Sequence, residues 1–97
     1  MTKDNNKIKW KCRRGLWELD ILLSKFAEFN YPLLSKENKL LFEELIDHED
    51  VDLLSWLVTG DKANDIARQG IIDIVLIAHT ERNNSLHKYY RSSKKDG

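Results

Sequence analysis

The sequence predicts an all-α, single-domain bundle of about five helices, on three observations. Apolar residues recur at three- and four-residue spacing in several separate stretches. Helix-starting and helix-stopping residues fall between those stretches. One run, Ile71 to Ala78, is rich enough in β-branched residues to suit a strand, but no second run exists to pair with it. At 97 residues the chain is one domain with a modest core. A wide catalytic cleft with its own lid is hard to house at that size, which favours a binding module over an enzyme.

Residues 1–7 are polar and read as a flexible N-terminus, 8–80 as the helical domain and 81–97 as a polar, disordered tail. Ile8 and Trp10 supply the first apolar pair, and Trp10 is expected in the core because so small a domain needs its tryptophans for packing. A long helix is predicted from about Gly15 to Phe29. Leu19, Leu22, Leu23, Phe26 and Phe29 share one face, with Gly15 in line above them. The helix must end near Asn30, because Pro32 disfavours helical geometry at Tyr31.

Ser35 is placed to cap the next helix, which buries Leu41, Phe42, Leu45 and Ile46 and turns Glu43, Glu44 and Asp47 to solvent. After a break at His48 to Asp50, a short helix carries Leu53, Trp56 and Leu57, with Asp50 or Asp52 as its cap and Gly60 as its stop. Asp61 or Asn64 then begins a last helix whose inner face is Ala67, Ile71, Ile74, Val75 and Ala78. Ile66, Ile72, Leu76 and Ile77 make that helix apolar almost all round, so it should be central or form an interface. Asn83-Asn84-Ser85 breaks the pattern.

The stretch around Gly15 is the candidate functional site. In a helix interior glycine costs about 1 kcal/mol relative to alanine, so on a packed face it suggests close approach by another backbone or a ligand. The alternative is that Gly15 marks the helix start. Arg14 and Glu18 are four apart and are expected to bridge beside it, a pairing worth only about 0.3–0.5 kcal/mol if exposed. Trp17 and Asp20 lie off the main apolar line. Two readings of Trp17 stay open, an exposed contact and a ring covered by a neighbouring helix.

The run Trp10-x-Cys12-Arg13-Arg14-Gly15-x-x-Glu18-Leu19-Asp20 resembles the signature of the small succinate dehydrogenase FAD assembly factors, or flavinylation factors. The likeness continues through Leu34-Ser35 to Ile46 and through Asp50-Val51-Asp52-Leu53-Leu54-Ser55-Trp56-Leu57 with Gly60, and covers about residues 8 to 78. The chain departs from the family at Gly60-Asp61-Lys62-Ala63, where relatives carry Gly-Lys-Pro, and in the polar stretch from about His79.

The resemblance implies a chaperone, not an enzyme, that binds the immature flavoprotein subunit of succinate dehydrogenase, or of fumarate reductase, and promotes covalent FAD attachment to it. It implies partner contacts at Arg14, Gly15 and Glu18, with Arg13, Trp17 and Asp20 around them. FAD is then handled on the partner, with no stably bound cofactor, no metal and no catalytic residue on this chain. Two other classes stay in view: an antitoxin-like regulatory protein-binding module, and a nucleic-acid binder using the basic termini.

The charges fit a docking protein. Sixteen basic and sixteen acidic residues give zero net charge, yet residues 1–14 carry +5 and 81–97 carry +3, leaving the middle acidic. Such separation favours encounter with a partner of complementary potential. The interleaved His87-Lys88-Tyr89-Tyr90-Arg91 offers only weak grounds for nucleic-acid stacking, and the partner set expected is protein alone, the chain acting as a monomer.

The lone Cys12 cannot form an internal disulfide, which suits a reducing compartment. Nearby cations lower a thiol's pKa, but a buried, inert cysteine is the preferred reading. No secretory signal, transit peptide or bilayer-length apolar run is visible, so a cytoplasmic protein without membrane insertion is expected. The acidic cluster Asp47, Glu49, Asp50 and Asp52 lacks the alternate ligands and central glycine of a calcium loop, and capping is the better reading. No glycine-rich phosphate loop is present.

Overall fold

The computed structural model describes the backbone of residues 2–96 and the side chains of residues 6–83. Five α-helices make the bundle: α1 (Thr2–Lys11), α2 (Trp17–Phe29), α3 (Lys36–Leu45), α4 (Asp50–Leu54) and α5 (Ile66–Asp96). A 3-10 turn at Tyr31–Leu33 joins α2 to α3, and a π-helical turn at Ser55–Thr59 continues α4. No strand occurs among the described residues. Of the stretches expected as flexible ends, residues 2–7 lie in α1 and residues 81–96 in α5, and the helical backbone of α5 passes through Asn83-Asn84-Ser85 without a break. The basic aromatic run His87 to Arg91 lies outside the described side chains.

The centre of the bundle is α2, whose Leu19, Leu22, Leu23, Phe26 and Ala27 are all buried. Phe42, Leu45 and Ile46 reach them from the α3 side, Leu53 and Leu57 from α4 and the π-helical turn, and Ile71, Ile72 and Val75 from α5. Phe42 lies with its ring centroid 4.8 Å from Phe26 and 5.7 Å from Tyr31. Tyr31 donates its hydroxyl hydrogen to Glu43, so that carboxylate, expected in solvent, is half-buried.

Three apolar residues stand elsewhere than expected. Trp10 is 75% exposed, because Ile8 and Cys12, one turn apart, form the inner face of α1 and Trp10 lies about half a turn away from both. Phe29 is exposed because Tyr31, from the next turn, fills the core at that end. Its ring is instead flanked by Lys25 at 5.7 Å and Arg82 at 5.8 Å. On α5 the buried line is Ile71, Ile72 and Val75, with Ile74 and Ala78 half-buried and Ala67 exposed. Ile66 and Ile77 face outward.

The caps follow the local chemistry. Ser35 Oγ accepts from the Asn38 N–H at 3.1 Å, as its position requires. The α4 cap is Glu49, without a side-chain bond, rather than Asp50 or Asp52, because the Asp50 carboxylate is engaged elsewhere. Gly60 closes the π-helical turn at φ +95°, a left-handed conformation costly for other residues, and both Gly60 and Asp61 donate their N–H to the Ser55 carbonyl. Asp61 accepts from Ser55 Oγ at 2.6 Å, so it does not start α5. Asp65 does, accepting from the Arg68 N–H at 3.1 Å.

Phe42→Ala removes the ring that joins α2, α3 and the 3-10 turn, and is expected to cost about 3–5 kcal/mol in urea unfolding. Trp10→Ala, at an exposed ring, should shift stability by less than about 0.5 kcal/mol in the same assay.

Candidate functional site

The site is the linker between α1 and α2. Gly15 lies in this linker and not in a helix, since α2 begins at Trp17 with Leu16 at its cap. The Arg14 N–H donates to Asp20 Oδ1 at 3.0 Å, which bends the chain back over the first turn of α2. Gly15 is exposed, and a Cβ added there would meet nothing within 4 Å. The glycine therefore answers to no close contact inside the free chain, and it marks the approach to the helix.

The expected Arg14–Glu18 bridge does not form, because Arg14 is outside the helix and its side chain runs the other way. Its guanidinium enters the turn between α3 and α4. There Nη2 donates to the Ile46 carbonyl, while Nη1 donates to the His48 carbonyl at 3.3 Å and to Asp50 Oδ1 at 3.1 Å. The Arg14 side chain is 14% exposed. Carbonyls at a helix C-terminus lack partners within their own helix, and a cation suits the negative end of its dipole. Arg14 supplies both from another element. Beside it, Lys11 Nζ meets Asp47 Oδ1 at 2.7 Å. Two carboxylates of the acidic cluster thus serve as counter-ions, Asp47 to the end of α1 and Asp50 to the linker after it, neither capping a helix.

Glu18 is left exposed, with no ionic or hydrogen-bond partner among the described residues. Trp17, 74% exposed, takes the open of its two readings. Arg13 also points to solvent, with Nε 3.9 Å from Asp20 Oδ1. The outward set is Arg13, Gly15, Trp17 and Glu18, while Arg14 and Asp20 hold the linker from within.

This face continues into a groove of about 400 Å³ between α2, the π-helical turn and α5, lined by Trp17, Glu18, Ile21, Val58, His79 and Asn83 among others. The i, i+4 spacing of Trp17 and Ile21 was open to inspection in the sequence, but Val58, His79 and Asn83 join them only through tertiary packing. No group of three or more metal-ligating side chains assembles among the described residues.

Residues 6–78 match a family model described as flavinator of succinate dehydrogenase. The chain belongs to this family. The FAD assembly factor SdhE of Idiomarina loihiensis is 41% identical over 63 residues, covering 65% of this chain and 70% of the relative. That of a Serratia strain is 38% identical over 85 residues, 87% of this chain and 93% of the relative. That of Pectobacterium atrosepticum is 34% identical over 83 residues, or 84% and 94%. These relatives are named as assembly factors, not as enzymes, and the matched residues take in the linker between α1 and α2. Among the described residues no helix is long and apolar enough to cross a membrane.

Cys12 lies directly before the motif arginines and is fully buried. Burial pushes its thiol from the usual 9.0 up to about 12, against the opposing pull of the Arg14 charge and with a smaller push from Asp20. Above pH 9 the unfolded chain loses this proton while the native chain keeps it, so stability falls as pH rises from about 9 towards 12. Between pH 8 and pH 10 the wild type should lose about 1.4 kcal/mol more than Cys12→Ala in urea unfolding.

Proposed function

We propose that the protein binds the immature flavoprotein subunit of succinate dehydrogenase, or that of fumarate reductase, and promotes covalent attachment of FAD to a histidine of that partner. It does so in the cytoplasm, as a monomer. The observation that carries this reading is Gly15, bare and open at the surface between the outward Arg13 on one side and, on the other, Trp17 and Glu18, which has no partner among the described residues. The names of the relatives support it, since they are FAD assembly factors.

The contact set is Arg13, Gly15, Trp17 and Glu18. Gly15 lets the partner's surface approach the backbone, Glu18 offers a carboxylate that needs no internal bond broken, and Trp17 brings a large apolar ring of the kind that dominates interface energies. FAD stays on the partner throughout, and no residue of this chain is assigned to it. A chaperone without a nucleophile can still raise the rate of attachment. It binds best to the conformer in which flavin and acceptor histidine are aligned, and so raises the population of that conformer.

Gly15 sits outside α2 with free space around its Cα. A side chain there is therefore expected to leave the free protein folded and to act only on docking. Gly15→Arg should lower covalent flavin on the partner by about tenfold or more through steric exclusion, while Gly15→Ala has a much smaller effect. In-gel flavin fluorescence of the flavoprotein from cells carrying each variant measures this. Normal flavin attachment with Gly15→Arg would overturn the assignment of this face.

A further inference from the structure

We propose that Asp50 is a positioning residue for the docking face, acting through the Arg14 guanidinium; this rests on the docking reading above. Arg14 and Asp50 are 36 positions apart and meet at 3.1 Å. Arg14 cannot serve a partner from where it stands. Both of its terminal nitrogens are engaged within the chain, and its Nε is buried. To swing out it would abandon the Ile46 and His48 carbonyls, and an unpaired buried acceptor is expensive. The motif therefore divides into an inward arginine and an outward glutamate.

Residue 14 is held at two points, its N–H by Asp20 and its guanidinium by the α3–α4 turn. Gly15 follows directly, and its outward presentation depends on that hold. Asp50 is the one anion among the partners of the guanidinium. With Asp50 neutral, a largely buried charge would face carbonyl dipoles alone, a state that favours its return to water. Residues 13–16 would then lose their anchor. Asp50 itself stays on the side of α4 that meets Arg14 and need not touch the partner.

The opposite view, in which Arg14 reaches the partner directly, makes the contrary prediction, because removing Asp50 would release Arg14 for that contact. Affinity of the full chain for purified flavoprotein subunit lacking covalent flavin, measured by calorimetry, separates the two. Asp50→Asn should weaken binding by about tenfold. Arg14→Gln should do likewise, and the double variant should bind no worse than Arg14→Gln alone, since both act through one contact. Asp50→Glu should recover part of the loss.

In the free protein, Asp50→Asn should shift the Arg14 Nε–H resonance and speed amide exchange from Gly15 to Glu18 with helix content unchanged. If Asp50→Asn alone does not fold, the double variant removes the buried charge entirely and carries the same test. A double variant weaker than Arg14→Gln would overturn the proposal. Wild-type affinity for Asp50→Asn, with Glu18→Ala weakened, would also overturn it and leave the docking reading standing. If Glu18→Ala and Gly15→Arg bind as wild type, the docking reading falls instead.

Discussion

The seating of the Arg14 guanidinium in the α3–α4 turn is the constraint on which the site depends. A cation this little exposed is tolerated only because carbonyl dipoles and a carboxylate surround it. It ties the end of α1 to the start of α4 across the bundle. Cys12 is sealed two residues before it, α2 starts three residues after it, and the direction in which the linker leaves the core follows from it. Lys11 with Asp47 repeats the theme at the surface, where the pair adds little energy.

Much of the fold was legible from spacing. The α2 stripe from Leu19 to Phe26, the Ser35 cap, the stop at Gly60 and the choice of helix for Ile71 to Ala78 all follow from local rules, and all stand in the structure. The failures share one cause. Trp10 was placed by hydrophobicity and Phe29 by its spacing in the α2 stripe, but which side of a helix end meets the core depends on what else arrives there, and Tyr31 arrives at Phe29's place. Asp50 and Asp61 were read as caps from position alone, whereas Arg14 and Ser55 had prior claim on them.

The site was half legible. The stretch from Arg13 to Asp20 does gather at the linker and the first turn of α2, yet the pairing expected inside it does not form, because a four-residue spacing implies a bridge only where the backbone is helical. Here α2 begins only at Trp17, three residues after Arg14. The excess positive charge of the first fourteen residues was read as a handle for partners, and part of it proves to be spent within the chain on Asp47 and Asp50. What remains outward is a small, mixed surface that combines a ring, a gap, one cation and one anion, with a groove running on from it. On the proposed reading, in which the protein favours one conformer of a larger partner, a rigid face is of more use than a strong one. The shift it produces depends on its preference between conformers and not on tightness alone.

The position of Cys12 bears on that task in a different way. Forming a bond to the flavin requires a nucleophile to attack it, and on the proposed reading that nucleophile belongs to the partner. A thiolate on the helper, a few residues from the point of contact, would compete for the same electrophile. Walled in, and still holding its proton well above neutral pH, the one sulfhydryl of this chain is chemically silent. On the proposed reading, the helper would leave the encounter unmodified and free to serve the next client.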